Sequence, residues 1–116
     1  RAGELVAIDL DPRRMAMVED TLRRLARQAT CRVADLAQPG ALRDAGRFER
    51  ILVDAPCSAT GVVRRHPDIK LLRRAADVEA LARSQQAILR NAFDALAPGG
   101  RLVYATCSLL PAENEA

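Results

Sequence analysis

Short apolar runs alternate with amphipathic stretches along the chain. Leu5 to Ile8 is an apolar run closed by Asp9. Asp11-Pro12 follows as an N-cap with proline at the first helical position. Met15, Val18, Leu22 and Leu25 then recur at helical spacing, which predicts an amphipathic helix over residues 12 to 27. Thr30 to Ala34, closed by Asp35, reads as the next strand. A polar connection with Pro39-Gly40 and a short helical turn leads to a third strand, Phe48 to Val53. Beyond a long loop, Val78, Leu81, Ile88, Leu89, Phe93 and Leu96 mark a second long helix, ended by Pro98-Gly99-Gly100. The fourth strand is Arg101 to Ala105, and Pro111-Ala112-Glu113-Asn114-Glu115 looks like another helix start. Strands separated by crossover helices predict an α/β fold with a parallel sheet.

The residues with chemical potential sit where these strands end. In an open α/β sheet the carboxyl ends of the strands form the ligand crevice. Asp9, Asp35 and Asp54 each lie at or just past such an end. Acids there accept hydrogen bonds from ribose hydroxyls or receive an adenine amino group, so a nucleoside cofactor is expected. The pattern does not separate adenosylmethionine from a dinucleotide. Asp54-Ala55-Pro56-Cys57 and Ala105-Thr106-Cys107-Ser108 place one cysteine just past each of two strands read as buried, fifty positions apart. A thiolate so placed is the nucleophile needed to attack C6 of a pyrimidine and make its C5 reactive. Cys31, within a strand, reads instead as a small buried hydrophobe.

Composition narrows the partners. A chain of 116 residues makes one domain at most. Three cysteines with no CxxC pair favour reduced thiols over a disulfide framework or a zinc site, so no metal is expected. No apolar stretch approaches a membrane span and no signal peptide is evident, so a cytoplasmic protein is expected. The net charge is +3, and of 18 basic residues only Lys70 is a lysine. Arginine in such excess suits phosphate contact or reflects a compositional bias, and Arg64, Arg65, Lys70, Arg73 and Arg74, following the first cysteine loop, read as phosphate contacts or as a solvated face. His66 either joins that phosphate-contacting stretch or shapes the turn before Pro67. With 3% aromatic residues there is no stacking platform of the usual kind. The abrupt start at Arg1 and the helix start just before Ala116 read as a fragment of something longer.

Asp54-Ala55-Pro56-Cys57-Ser58-Ala59-Thr60-Gly61, Arg64-Arg65-His66-Pro67-Asp68-Ile69-Lys70, Ala105-Thr106-Cys107-Ser108, and Pro111 with Glu113-Asn114-Glu115 together resemble the RNA cytosine-5 methyltransferases of the Nop2/Sun group. Within that group, Ser58 to Arg74 most resembles the bacterial RsmB/Sun branch, which methylates a cytosine of 16S ribosomal RNA. The resemblance covers nearly the whole chain and implies a partial Rossmann-like S-adenosylmethionine-dependent methyltransferase fold, with residues 1–116 a piece of its catalytic domain. The first strand with its glycine-rich loop and the last strands are then missing. That first strand would lie between Leu5 to Ile8 and Phe48 to Val53, leaving those two without their native neighbour. The segment alone is accordingly expected to be poorly stable and inactive.

The resemblance also implies roles. Cys107 matches the family's nucleophile and Cys57 the cysteine that helps release product. Asp9, Asp35 and Asp54 match acids lining the S-adenosylmethionine site, with Asp54 also close to the target base and so part of the catalytic set. Cys107 needs an electropositive environment for activation, and Arg64, Arg65 or His66 are expected to supply part of it. The cytosine must be unpaired or swung out of its stack. Other readings are a non-catalytic RNA-binding or structural remnant, or another Rossmann enzyme, which leaves the paired cysteines unexplained. Oligomeric state is not legible.

Overall fold

The computed structural model describes residues 3–68 and 74–114. The chain divides into two compact units at Asp35/Leu36.

The first unit is a β-α-β hand. β1 (Val6–Asp9) leads into α1 (Pro12–Arg24), and β2 (Thr30–Val33) lies parallel to β1 with Val6 opposite Thr30 and Asp9 opposite Val33. Asp11 caps α1 as expected, its Oδ1 accepting the Arg13 N–H at 2.8 Å, with Pro12 next. The helix ends at Arg24 rather than residue 27 because the chain turns left-handed at Ala26, φ +49°. Ala26 N–H donates to Arg23 O at 3.1 Å and Arg27 N–H to Leu22 O at 2.9 Å, a Schellman closure built without glycine. Met15 is the buried anchor of the helix, and Cys31 is half-buried.

The second unit carries β3 (Phe48–Asp54), α2 (Ala75–Asp94), β4 (Leu96–Ala105) and the single-turn α3 (Pro111–Asn114). Short 3-10 turns at Arg43–Ala45 and Thr60–Val62 interrupt its connections. β3 and β4 run parallel, with Ile51 opposite Leu102, Val53 opposite Tyr104 and Asp54 opposite Ala105. Val53, Ala55, Ile88 and Ala92 form the core, joined by Ile51, Leu102 and Tyr104, so one face of the strand pair packs against α2. The other face is open: Leu52 is 72% and Val103 49% exposed. The strands expected to be buried are therefore covered on one side only. Asn91 on α2 donates to Leu36 O and Gln38 O, each at 2.8 Å, and so pins the incoming connection.

Two boundaries differ from expectation at one place. α2 stops at Asp94, and the chain enters β4 at Leu96, opposite Phe48, before Pro98-Gly99-Gly100. Those residues make an irregularity inside the strand, after which pairing resumes with Arg50 opposite Arg101. Gly99 takes φ +77°, and a Cβ on Gly100 would lie 2.8 Å from Ala97 O and 3.0 Å from Glu49 O. The Pro-Gly-Gly signal thus marks a bulge rather than the helix stop. Among the described residues, β1 pairs with β2 and β3 with β4. The class is α/β with short parallel strands.

Candidate active site

Past Asp54 and Ala105 the β3–β4 ladder gives way to two loops, joined at first by Ala55 N–H to Ala105 O at 2.9 Å. Cys57 and Cys107 lie two residues further on, and their Sγ atoms stand 3.0 Å apart. Both are free thiols, Cys57 half-buried and Cys107 exposed. Parallel pairing of the two strands is what brings together residues fifty positions apart in sequence.

The Cys107 thiol is pushed above its ordinary pKa of 9.0, first by the hydrogen bond with Cys57, then by burial and by the negative charge that Cys57 and Asp54 can place beside it. Arg64, Arg65 and His66, expected to activate this thiol, are exposed on the stretch after the Thr60–Val62 turn. Lys70, and Arg73 with it, lie outside the described residues.

Behind the thiols is a polar cluster that sequence reading did not single out as a site. Glu113 is 4% exposed and Ser58 fully buried, with Ser108 and Gln85 buried beside them. Ser58 N–H donates to Glu113 Oε1 at 2.8 Å and Ser58 Oγ to Oε2 at 2.6 Å. Ser108 Oγ also donates to Oε2, and Gln85 Nε2 donates to Oε1 at 3.0 Å and to Pro56 O at 2.8 Å. Burial opposes the charge on Glu113, but these four donors outweigh it and hold the carboxyl below its ordinary value of 4.5. Among the described residues no buried side-chain nitrogen or oxygen lacks a partner. The signal was present as serines directly after each cysteine and a glutamate after Pro111, but pattern reading does not show that they meet.

A second tie crosses the loops. Gly61 N–H donates to Cys107 O at 2.8 Å, and a Cβ on Gly61 would sit 2.6 Å from that oxygen. Thr60 Oγ1 accepts from Leu109 N–H at 2.9 Å and lies 3.2 Å from Ser108 Oγ.

The expected acids fall in both units. Asp54, exposed, ends β3 in the second. Asp9 ends β1 in the first, where its Oδ1 accepts from Asp11 N–H at 2.8 Å and pairs with Arg14 at 3.1 Å. Asp35 lies two residues past β2. Among the described residues no group of three or more His, Cys, Asp or Glu is placed to hold a metal ion, and no helix is long and apolar enough to cross a membrane.

The family model "16S rRNA methyltransferase RsmB/F" matches residues 1–116. The chain is 51% identical over 114 residues to a ribosomal RNA small subunit methyltransferase B of Salmonella arizonae, covering 98% of this chain and 27% of the relative. It is 53% identical over 112 residues to the protein of that name from an Enterobacter species, covering 97% and 26%. It thus spans about a quarter of the length of these relatives. Among solved structures, NSun6 from Pyrococcus horikoshii, determined with SFG, superposes with TM-score 0.82 at 36% identity, over 97% of this chain and 28% of that one. A methyltransferase homolog from the same organism gives TM-score 0.79 at 31% identity, over 97% and 34%. The paired cysteine loops therefore sit in a Rossmann-like methyltransferase fold, and the chain belongs to the 16S rRNA methyltransferase RsmB/F family.

Proposed function

We propose that this chain supplies the two-cysteine face of an S-adenosylmethionine-dependent RNA (cytosine-5) methyltransferase acting on 16S ribosomal RNA. One observation carries the reading: two free thiols 3.0 Å apart at the ends of neighbouring parallel strands, in a chain matched end to end by one family model.

In this reading the Cys107 thiolate adds to C6 of an unstacked cytosine, and the electron pair moves to C5. When bound, S-adenosylmethionine would supply an electrophilic methyl group to C5, its S–CH3 bond breaking to leave S-adenosylhomocysteine. A base removes the C5 proton, the C5–C6 double bond re-forms and the Cys107–C6 bond breaks. Cys57, half-buried beside Cys107, assists this release. Cys107 is the more exposed of the pair and so the better placed to meet a base entering from solvent. Its raised pKa makes proton removal part of the reaction, and bound RNA and the rest of the site must help draw that proton off.

Asp9 and Asp35 stand at the ends of adjacent parallel strands, a donor-accepting pair that fits the hydroxyl and amino groups of a nucleoside, and they would hold that part of S-adenosylmethionine. Asp54 would lie close to the target base, and Arg64, Arg65 and His66 would meet RNA phosphate. By itself the chain is expected to be poorly stable and inactive, since two-stranded sheets with an open apolar face are marginal.

The test is methyl transfer by the full-length protein from labelled S-adenosylmethionine to 16S ribosomal RNA, followed by nucleoside analysis. Label in 5-methylcytidine supports the proposal. Label in another nucleoside, or none from a folded, cofactor-binding protein, contradicts it and favours a non-catalytic relative.

A further inference from the structure

The strand ladder that brings the two cysteines together ends before it reaches them. Asp54 faces Ala105 in the last paired register, and after Ala55 the main chains separate into loops. Past that point the thiols have no sheet to hold them, yet they stand 3.0 Å apart. The Glu113 carboxylate fills the place of the missing rungs. Its Oε2 receives the hydroxyls of Ser58 and Ser108, each the residue directly after a cysteine. Its Oε1 receives Ser58 N–H and Gln85 Nε2, and the same Gln85 amide reaches Pro56 O, so Cys57 is gripped on both sides. Tyr104 of β4 donates to Glu113 O at 3.2 Å and fastens the clamp to the strand that leads to Cys107.

We propose that Glu113 is a positioning residue: through Ser58 and Ser108 its carboxylate sets the separation of Cys57 and Cys107. A carboxylate suits this task because it offers only acceptors, enough for four donors at once, and short charge-assisted bonds define distance more tightly than neutral ones. The clamp is buried, so water does not compete for those donors. Its functional weight rests on the reading that the two thiols act on cytosine, but its geometric content does not.

The thiols themselves report their separation. One glutathione disulfide is consumed as the Cys57–Cys107 bond forms, and two glutathione thiols are released, carrying the two thiol protons. The equilibrium constant for that exchange in the full-length protein, with the linked peptides identified by mass, measures how firmly the fold holds the pair. Glu113→Gln and Glu113→Ala are compared with wild type at a temperature where circular dichroism shows each folded. Ile88→Ala serves as a core destabilisation that leaves the clamp intact. The constant is expected to fall about tenfold or more in the Glu113 variants, the scale of losing bonds to a buried charge, and to stay unchanged in Ile88→Ala. Folded Glu113 variants within about twofold of wild type, or an equal fall in Ile88→Ala, would overturn the proposal. Should the Glu113 variants not fold, Ser58→Ala and Ser108→Ala each remove one arm, and unchanged constants in both overturn it as well. Because no RNA enters this measurement, its outcome is separate from that of the methyl-transfer assay.

Discussion

Replacing Gly61 with alanine tests how tightly the two cysteine loops are held. The new Cβ would lie 2.6 Å from Cys107 O, 3.4 Å from Cys107 C and 3.6 Å from the Leu109 Cγ. A carbon meets a carbonyl oxygen comfortably at about 3.3 Å, so relief takes about 0.7 Å of separation between the loops. The Cβ is fixed by its own backbone and its two nearest neighbours are backbone atoms, so no rotamer change relieves the contact. The same movement stretches the 2.8 Å bond from Gly61 N–H to Cys107 O beyond useful range. Overpacking costs about 1–3 kcal/mol and the lost bond about 1 kcal/mol, so Gly61→Ala should destabilise by about 2–4 kcal/mol. Function should suffer beyond that, since a displacement approaching 1 Å at reacting groups costs on the order of 100-fold in rate. Urea unfolding of the full-length protein gives the first quantity. Single-turnover methyl transfer, measured where both proteins are folded, gives the second. A variant within about 0.5 kcal/mol of wild type and equally fast would refute the close contact and the reasoning built on it.

Three further outcomes follow from the same geometry. The Glu113 carboxyl is held below its ordinary value, so its bonds contribute stability that is fully present above the unfolded value and lost as pH falls through the folded one. Urea midpoints between about pH 3 and pH 6 should fall on acidification in wild type and be flatter in Glu113→Gln, and parallel profiles would count against this assignment. Cys57→Ala removes the leading cause of the raised Cys107 pKa, so alkylation of Cys107 by iodoacetamide should reach half its maximal rate at a lower pH; an unmoved midpoint would show the two thiols uncoupled. Gly100→Ala meets the carbonyls of Ala97 and Glu49 at the β4 bulge and should cost about 1–3 kcal/mol in chemical unfolding, with a neutral result contradicting the bulge.

What the sequence reveals of this molecule is what depends on local pattern. The helical spacing of Met15 to Leu25, the Asp11-Pro12 cap and the apolar runs that become β1 to β4 each obey short-range rules, and all are present. The end of α1 escaped because Ala26 takes the left-handed turn that glycine usually marks. At Pro98-Gly99-Gly100 the breaker signal is real, but position along the chain does not say whether it ends a helix or kinks a strand. The meeting of Cys57 and Cys107 was legible only as two motifs after two parallel strands. Their separation, and the buried network of Glu113, Ser58, Ser108 and Gln85, arise from tertiary packing between residues up to 55 positions apart. Nor did local pattern show that the hydrogen bond with Cys57, burial and the nearby Asp54 together raise the Cys107 pKa.

The most direct test of the account is covalent trapping in the full-length protein. Incubated with S-adenosylmethionine and a 16S ribosomal RNA stem-loop carrying 5-fluorocytidine, which has no C5 proton to release, the enzyme should stall with the RNA attached. Intact mass is then read for wild type, Cys107→Ser and Cys57→Ser. The account predicts an adduct in wild type and Cys57→Ser that is absent in Cys107→Ser. An adduct that survives Cys107→Ser and vanishes in Cys57→Ser would reverse the two roles, and none from a folded, cofactor-binding protein would contradict attack by Cys107 on this substrate.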